Sequence, residues 1–267
     1  MKKVVALIVA RNEEKNIFNV ISALKNQTLP ISNIVFVDDG SIDKTVNIAE
    51  SLDCILLSLP FHKENLVGTP DLSIRWNIGL KTVIKYSPDY VLLMGGDHIL
   101  HKNYVEELLN NMTGKIIIAS GRISGEGFKK TAPRGSGRLV KVSFWMNINK
   151  MQYPINYGWE SWILFKAMQQ GFETRCFRNI ITKIERPTSI KNISLSGKSL
   201  YAKGYNWKYV LHRCLSYRSI SKGFLLFWSW FRHNNVERLD VAEFVNEMQN
   251  KRFWDQLKKI IRGPFLK

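Results

Sequence analysis

Acidic side chains follow three of the most apolar runs in the sequence. They are Glu13 and Glu14 after Val4–Ala10, Asp38 and Asp39 after residues 34–37, and Asp97 after Tyr90–Met94. Carboxylates accept hydrogen bonds from the N–H groups of a nucleoside base and, with phosphate oxygens, bind divalent cations. Helix capping is the alternative role for any one of them. In a chain with a formal net charge of +17, the whole set predicts a site for a polar ligand.

The apolar runs predict the elements that position these acids. Val4–Ala10 is continuously apolar, as in a strand covered on both faces of a parallel sheet. The next segment carries apolar residues at helical spacing, namely Ile17, Val20, Ile21 and Leu24. Asn12 is the expected N-cap of that helix. Further alternation of strands and helices predicts an α/β fold with a mostly parallel sheet, whose ligands bind beyond the carboxyl ends of the strands.

Composition restricts the class of protein. The 267 residues are 45% hydrophobic and 23% charged, which excludes a disordered or low-complexity chain. The 39 Lys and Arg against 22 Asp and Glu predict an anionic partner, which is a nucleic acid, a phosphorylated ligand or an acidic membrane face. The 3 cysteines lack metal-ligand spacing, and no run approaches the roughly 20 apolar residues of a membrane span. We therefore expect a cytoplasmic protein, peripheral if it meets a membrane.

Four short motifs are more specific in combination than singly. They are Ala10-Arg11-Asn12-Glu13, Asp38-Asp39-Gly40-Ser41, Asn77-x-Gly79 and Gly95-Gly96-Asp97. In type and order, over about residues 3–180, they resemble the family-2 glycosyltransferases of the GT-A fold, which are inverting and use nucleotide sugars. The tail resembles that of archaeal and bacterial members with a basic, aromatic C-terminus. The resemblance implies a hexosyltransferase with a GT-A catalytic domain at 1–185 and a mainly helical extension at 186–267.

The same resemblance implies roles for individual residues. The nucleotide sugar would be bound by Ala10, Arg11, Asn12, Glu13, Asp38, Asp39, Gly40, Ser41, Asn77, Gly96 and Asp97. Among these, Asp39 takes the place of the carboxylate that contacts the base. Mg²⁺ or Mn²⁺ would bind at Asp97, with His98 as a second candidate ligand. The family's Asp-x-Asp is Gly95-Gly96-Asp97 here, so one of its two carboxylates is missing.

Glu160 is the candidate general base. The resemblance, aligned on Gly171, places it where the family has an Asp at the start of a helix, and a helix N-terminus favours the ionised carboxylate. A purely structural role at that N-terminus is the alternative. The candidates for binding phosphate or acceptor are Arg134, Arg138, Trp159 and Arg186. A solvated basic face, or core packing for the Trp, is the alternative for each, and the Gly-rich stretch 125–138 is expected to be a mobile lid or acceptor loop.

The last third of the chain is strongly basic. From Lys183 onward it has 17 Lys and Arg against 6 Asp and Glu. Phe and Trp residues at 224–231, beside Lys222 and Arg232, are typical of a helix in the interfacial plane of an anionic membrane. The final helix, with Phe253 and Trp254, repeats this pattern. Packing of both helices on the catalytic domain is the alternative.

The favoured hypothesis is a transferase that moves a sugar from a UDP- or GDP-sugar to a hydroxyl or lipid-phosphate acceptor near a membrane. The acceptor would be a glycan, a lipid or a polyprenyl phosphate. A sugar-1-phosphate nucleotidyltransferase would need a Gly-rich loop after the first strand, which this chain lacks. Two alternatives stay open: a family member that binds nucleotide sugar without catalysis, because of Gly95, and a nucleic-acid-binding protein, which charge alone favours.

Overall fold

The chain forms two compact units. The computed structural model describes residues 2–186, 192–217, 219–232 and 236–261, with side chains as far as Lys251. The first unit consists of Met1–Asn65, Asp71–Tyr153 and Lys166–Ser189, and the second of Leu66–Pro70, Pro154–Phe165 and Ile190–Lys267. The region expected to be a C-terminal extension therefore belongs to the second unit from Ile190 onward, together with two short earlier segments.

The strands of the described residues all lie in the first unit and form one sheet. They are β1 (Val4–Ala10), β2 (Ile31–Asp38), β3 (Ile55–Ser58), β4 (Tyr90–Met94), β5 (His98–Ile99), β6 (Ile116–Ile123), β7 (Arg138–Lys141) and β8 (Glu173–Ile184). Their order is β3-β2-β1-β4-β7-β6-β8-β5. β1 is parallel to β2 and β4, β2 to β3, and β6 to β8, whereas the pairings of β7 and β5 are antiparallel. The predicted α/β fold is confirmed, and the sheet is mixed.

The described residues also form ten helices. They are α1 (Ile17–Lys25), α2 (Thr45–Ser51), α3 (Pro70–Ile84), α4 (Tyr104–Asn111), α5 (Val142–Asn149), α6 (Trp159–Gln169), α7 (Ile193–Ala202), α8 (Trp207–Leu215), α9 (Ile220–Phe231) and α10 (Ala242–Ile261). The four predicted apolar positions of α1 are buried. Asn12 does not cap this helix, because its backbone is left-handed (φ 55°) and its side chain accepts a hydrogen bond from the Ile42 N–H.

Register brings the carboxyl ends of β1, β2 and β4 to one edge of the sheet. Ala10 lies opposite Asp38 on β2, and Ile8 lies opposite Met94 on β4. On α3, a Cβ at Gly79 would overlap a methyl group of Leu7 and lie 2.8 Å from Val37 Cγ2. The glycine of the Asn77-x-Gly79 motif therefore lets this helix pack closely against β1 and β2.

The second unit has its own apolar core. Leu200 of α7, Val210 of α8 and Leu226 of α9 form the centre of its cluster. The side chains of Asn192 and Asn206 cap α7 and α8 by accepting a hydrogen bond from a main-chain N–H in the first turn. Within the described ranges, no helix is both long enough and apolar enough to cross a membrane.

Candidate functional site

The loops that follow β1 and β2 are held together by side chains of both motifs. The Asn12 N–H donates to Ser41 Oγ (2.8 Å), and the Ile42 N–H donates to Asn12 Oδ1 (2.9 Å). The Glu13 N–H donates to Thr45 Oγ1 (2.7 Å). Asn12 and Ser41, both expected to contact the nucleotide, thus use these groups to join the two loops. The two loops therefore form one connected rim at the carboxyl ends of β1 and β2.

Asp38 and Gly40 shape the turn after β2. Asp38 is buried, and its Oδ2 accepts a hydrogen bond from the Ser41 N–H at 3.0 Å. Its other oxygen, Oδ1, is buried without a hydrogen-bond partner in the part of the chain that the structure describes. Gly40 has a φ of +74°, and a Cβ there would lie 2.7 Å from Phe61 Cα and from the Pro60 oxygen. The turn therefore needs glycine, and it leaves Asp38 with an acceptor for a donor from outside the chain.

Asp39 is buried beside two cationic or ionisable groups. Arg75 Nε donates to its Oδ1 at 3.0 Å, and His62 Nε2 lies 3.1 Å from the same oxygen. The Asp39 N–H donates to the Ala10 carbonyl at 2.9 Å, which fixes its backbone. Both side-chain contacts fall on Oδ1, so Oδ2 is the atom that can accept a ligand N–H. Sequence reasoning missed Arg75 and His62, which lie outside the four motifs.

The Arg11 side chain contacts the segment 61–64. Its guanidinium donates to the carbonyls of Glu64, at 3.0 Å, and of His62. Its Cζ also lies 5.5 Å from the ring centroid of Phe61. Arg11 therefore orders the segment 61–64 that carries His62. Its expected contact with the nucleotide gains no support from this arrangement.

Asp97 and Glu13 share one arginine. A Cβ at Gly96 would lie 2.6 Å from Glu13 Cγ and 2.7 Å from Ala10 Cβ, so only glycine allows this close approach of the β1 and β4 loops. The Glu185 N–H donates to the Asp97 carbonyl (3.0 Å), which places the next residue, Arg186, at the rim. Arg186 Nη2 pairs with Glu13 Oε1, and its Nε lies 3.4 Å from Asp97 Oδ2. Glu13, Asp97 and Arg186 therefore meet at this edge of the sheet.

His98, the second candidate metal ligand, is held by Ser136 through one ring nitrogen, and its role toward a metal stays a prediction. Its ring is buried, and Nδ1 lies 2.9 Å from Ser136 Oγ. Burial lowers the pKa of His98 to about 4, so the imidazole is neutral at pH 7. Ser136 Oγ also accepts a hydrogen bond from the Gly95 N–H (2.9 Å), and the Gly137 N–H donates to the Leu93 carbonyl (2.8 Å). The part of the expected lid at 135–137 is therefore tied to the end of β4.

The residues around Asp97 do not fit a self-contained site for Mg²⁺ or Mn²⁺. Among the described residues, no group of three or more His, Cys, Asp or Glu side chains could hold a metal ion. Asp97 stands without the family's second carboxylate, and the Arg186 guanidinium already lies on it. Burial raises the pKa of Asp97, and the neighbouring Glu185 adds to that rise.

Three residues expected to bind phosphate or nucleotide have structural partners. Arg138 is buried, and its guanidinium donates to the carbonyls of Arg134 (2.9 Å) and Pro133 (3.1 Å). Arg134 pairs with Glu126. Asn77 is buried, and its amide donates to the Tyr153 carbonyl (2.9 Å) and accepts from the Tyr153 N–H (2.7 Å). The side chains of Arg138 and Asn77 satisfy main-chain groups of the fold, and their expected ligand contacts stay predictions.

Glu160 and Trp159 belong to the second unit. Glu160 is half-buried in the first turn of α6, where the helix dipole stabilises a carboxylate. Its role as general base stays a prediction. Trp159 is buried, and its indole N–H donates to the Thr69 carbonyl at 3.0 Å. This arrangement matches core packing, the alternative, and the acceptor contact of Trp159 stays a prediction.

Comparison with known proteins gives one family match. The model described as "Glycosyl transferase family 2" matches residues 5–172, which is more than half of the chain. That range includes all four motifs and, apart from Val4 at the start of β1, all of the strands β1 to β7, and it ends before β8. No curated protein sequence matches significantly.

Three solved structures with bound nucleotide or nucleotide sugar share the fold at low sequence identity. The mannosyltransferase PcManGT from Pyrobaculum calidifontis, in complex with GDP-Man and Mn²⁺, is 12% identical with a TM-score of 0.56, over 86% of this chain and 69% of that chain. TarS 1-349 of S. aureus, in complex with UDP-GlcNAc, is 14% identical with a TM-score of 0.56, over 94% of this chain and 78% of that chain. Glucosyl-3-phosphoglycerate synthase from Mycobacterium tuberculosis, in complex with Mg²⁺ and UDP, is 14% identical with a TM-score of 0.53, over 75% of this chain and 76% of that chain. At these identities the likeness is one of fold.

Proposed function

This chain belongs to glycosyl transferase family 2, and we propose that it transfers a hexose from a UDP- or GDP-sugar to an acceptor hydroxyl or lipid phosphate, with inversion. The observation that carries the proposal is the convergence of Asp38, Asp39, Asp97 and Arg186 at one edge of the sheet. The carboxyl edge of strands in α/β sheets is where ligands bind. The neighbours with bound GDP-Man, UDP-GlcNAc and UDP support a nucleotide sugar as the donor.

The nucleoside would be recognised by the two acceptors that the rim leaves available. Asp39 Oδ2 accepts the ring N–H of uracil or guanine, and Arg75 and His62 hold the carboxylate through Oδ1. Asp38 Oδ1 is the second buried acceptor and suits a hydroxyl or N–H donor of the nucleoside.

Calorimetric titration of UDP and GDP tests this recognition. Asp39→Asn keeps the shape of the side chain and removes its charge, so a charge-assisted hydrogen bond of about 1.5–3 kcal/mol weakens and Kd rises by about 10- to 100-fold. Asp53→Asn is the matched control, because that carboxylate is exposed in the same unit. Equal affinity in Asp39→Asn would remove Asp39 from the base pocket. Nucleotide binding without transfer or donor hydrolysis would instead favour a family member that binds nucleotide sugar without catalysis. Retention on nucleic acid without nucleotide binding would favour a nucleic-acid-binding protein.

Glu160 is proposed as the base that takes the proton of a hydroxyl acceptor. A positioned carboxylate contributes about 10²–10⁴-fold to such a step, so Glu160→Gln should lower kcat by that factor on a hydroxyl acceptor. A polyprenyl phosphate is largely ionised at pH 7 and needs no base, so there the same variant should cost little. Glu243→Gln, in the first turn of α10, is the matched control. Full activity of Glu160→Gln on a hydroxyl acceptor would refute the assignment.

The acceptor is proposed to be reached at an anionic membrane through helix α9. Ile220, Phe224, Trp228 and Phe231 share one face of this helix, with 93, 65, 42 and 60% of their surface exposed. Arg232 lies 4.9 Å above the Trp228 ring, at the edge of this face. Between residues 186 and 236 the sequence has 9 Lys or Arg and no Asp or Glu. Exposed aromatic side chains in a segment whose charged residues are all cationic suit an anionic lipid surface. Phe253 and Trp254 lie outside the described side chains.

Binding to phosphatidylglycerol and phosphatidylcholine vesicles tests the α9 face. Deleting the helix would also remove Leu226 from the core, so point variants are required. The triple variant Phe224→Ser, Trp228→Ser and Phe231→Ser should weaken binding to anionic vesicles by roughly 100-fold, at about 1 kcal/mol for each partly inserted ring. Phe18→Ser, on an exposed position of α1, should bind like wild type. Unchanged binding by the triple variant, or equal binding to both lipids, would exclude this face.

A further inference from the structure

The motif Gly95-Gly96-Asp97 after β4 has one carboxylate, whereas the family's Asp-x-Asp has two. A Cβ at Gly95 would lie 3.4 Å from Asp97 Oδ1 and 3.6 Å from Ser136 Oγ, which is ordinary contact. A side chain can therefore begin at position 95, beside Asp97, without its Cβ displacing a neighbour. The next residue, His98, points its Nδ1 at Ser136.

Arg186 brings a fixed positive charge to the same place. Its guanidinium joins Glu13 to Asp97, and Glu13 is buried with its second oxygen, Oε2, accepting a hydrogen bond from Asn16 at 2.9 Å. Glu13 is thus satisfied by the chain and serves to anchor the arginine. The Arg186 side chain is 62% exposed, and its contacts with Glu13 and Asp97 use Nη2 and Nε, so neither carboxylate engages Nη1. One edge of a planar donor group is therefore presented to solvent above Asp97.

We propose that Arg186 takes the place of the divalent cation, so that this chain binds the diphosphate of its donor through a guanidinium and without metal. This inference rests on the proposed function, because it concerns the donor of that reaction. Guanidinium groups form paired N–H···O hydrogen bonds with phosphate oxygens. A divalent ion on Asp97 would have to displace Arg186 or share the carboxylate with it, and a positive charge at 3.4 Å weakens binding of a second cation.

The experiment measures UDP and GDP affinity by calorimetry in EDTA and in Mn²⁺, and Mn²⁺ binding by electron paramagnetic resonance. For wild type we expect equal nucleotide affinity in both media and weak Mn²⁺ binding. Arg186→Gln should raise the nucleotide Kd in EDTA by about 10- to 100-fold. Gly95→Asp should tighten Mn²⁺ binding at least roughly tenfold and make nucleotide affinity depend on the metal. Gly95→Ala should do neither.

Controls separate this effect from folding. Arg186→Gln leaves Glu13 buried and unpaired, whereas the double variant Glu13→Gln, Arg186→Gln removes both charges and should fold while losing the same nucleotide affinity. Arg175→Gln, on β8 and paired with Glu173, should bind nucleotide like wild type. Nucleotide binding by wild type only in Mn²⁺ would overturn the inference and leave the proposed function standing. Nucleotide binding in neither medium would refute the proposed function and this inference with it.

Discussion

The substitution Asn77→Ala distinguishes a nucleotide contact from a structural amide. Asn77 makes two hydrogen bonds with the Tyr153 main chain, at 2.9 Å and 2.7 Å, and both residues are buried. Alanine would leave a buried N–H and a buried carbonyl without these bonds, at about 1–3 kcal/mol each. Relaxation recovers part of this cost, so we expect the free energy of unfolding to fall by about 3 kcal/mol. At about 2–4 °C per kcal/mol, Tm falls by about 6 to 12 °C.

Thermal melting and calorimetry, read together, test this prediction. Melting of the nucleotide-free protein gives Tm, and UDP or GDP titration well below Tm gives Kd for the folded molecules. Asn77→Asp should destabilise at least as much, because a carboxylate oxygen would replace the donor that faces the Tyr153 carbonyl. Lys81→Ala, at an exposed position of the same helix, should leave Tm unchanged. An unchanged Tm with a weakened Kd in Asn77→Ala would refute the structural role and restore the nucleotide contact.

Three further predictions concern stability. Burial lowers the pKa of His98 to about 4 from 6.5, so the unfolded chain binds a proton that the folded chain does not between these values. The free energy of unfolding should therefore fall by about 3 kcal/mol as pH drops from 6.5 to 4, and urea titrations of His98→Gln should show a shallower fall; an equal slope would exclude His98 as the cause. Gly79→Ala should destabilise by about 1–3 kcal/mol through the clash with Leu7, despite its better helix propensity, and a rise in Tm would contradict the close packing. Gly204→Ala should lower Tm by at least several degrees, because φ is +78° and a Cβ would lie 2.6 Å from the Ala242 carbonyl carbon; unchanged melting would contradict the backbone contact.

The strands and the polar rim could be predicted from the sequence because their signals are local. A continuous apolar run such as Val4–Ala10 is compatible with few environments other than a buried strand, and the structure has it so. Parallel strands end at the same edge, so acids that follow β1, β2 and β4 must come together whatever their partners. The convergence of Glu13 and Asp97 needed no more information than this.

The role of each polar side chain depends on hydrogen-bond partners that are distant in the sequence. The residue types of Asn77, Trp159 and Arg138 suit ligand contacts. In the folded chain each of these side chains donates a hydrogen bond to a main-chain carbonyl. Nothing in the residues beside Asn77 indicates that Tyr153, 76 positions later, would take both ends of its amide. A polar residue type predicts that a partner exists and not which one.

Asp39 and Arg186 of the candidate site show the same difference between what the sequence determines and what the tertiary structure determines. The sequence by itself determined that carboxylates follow the strands and that cations are in excess, and its resemblance to the family indicated that Gly95 stands in place of one carboxylate. Only the tertiary structure placed Arg75, 36 positions away, on Asp39, and Arg186, 173 positions away, on Glu13. Strand periodicity and helical spacing are properties of neighbouring residues, whereas a hydrogen bond or an ion pair depends on which distant segments the packed core brings within about 3 Å.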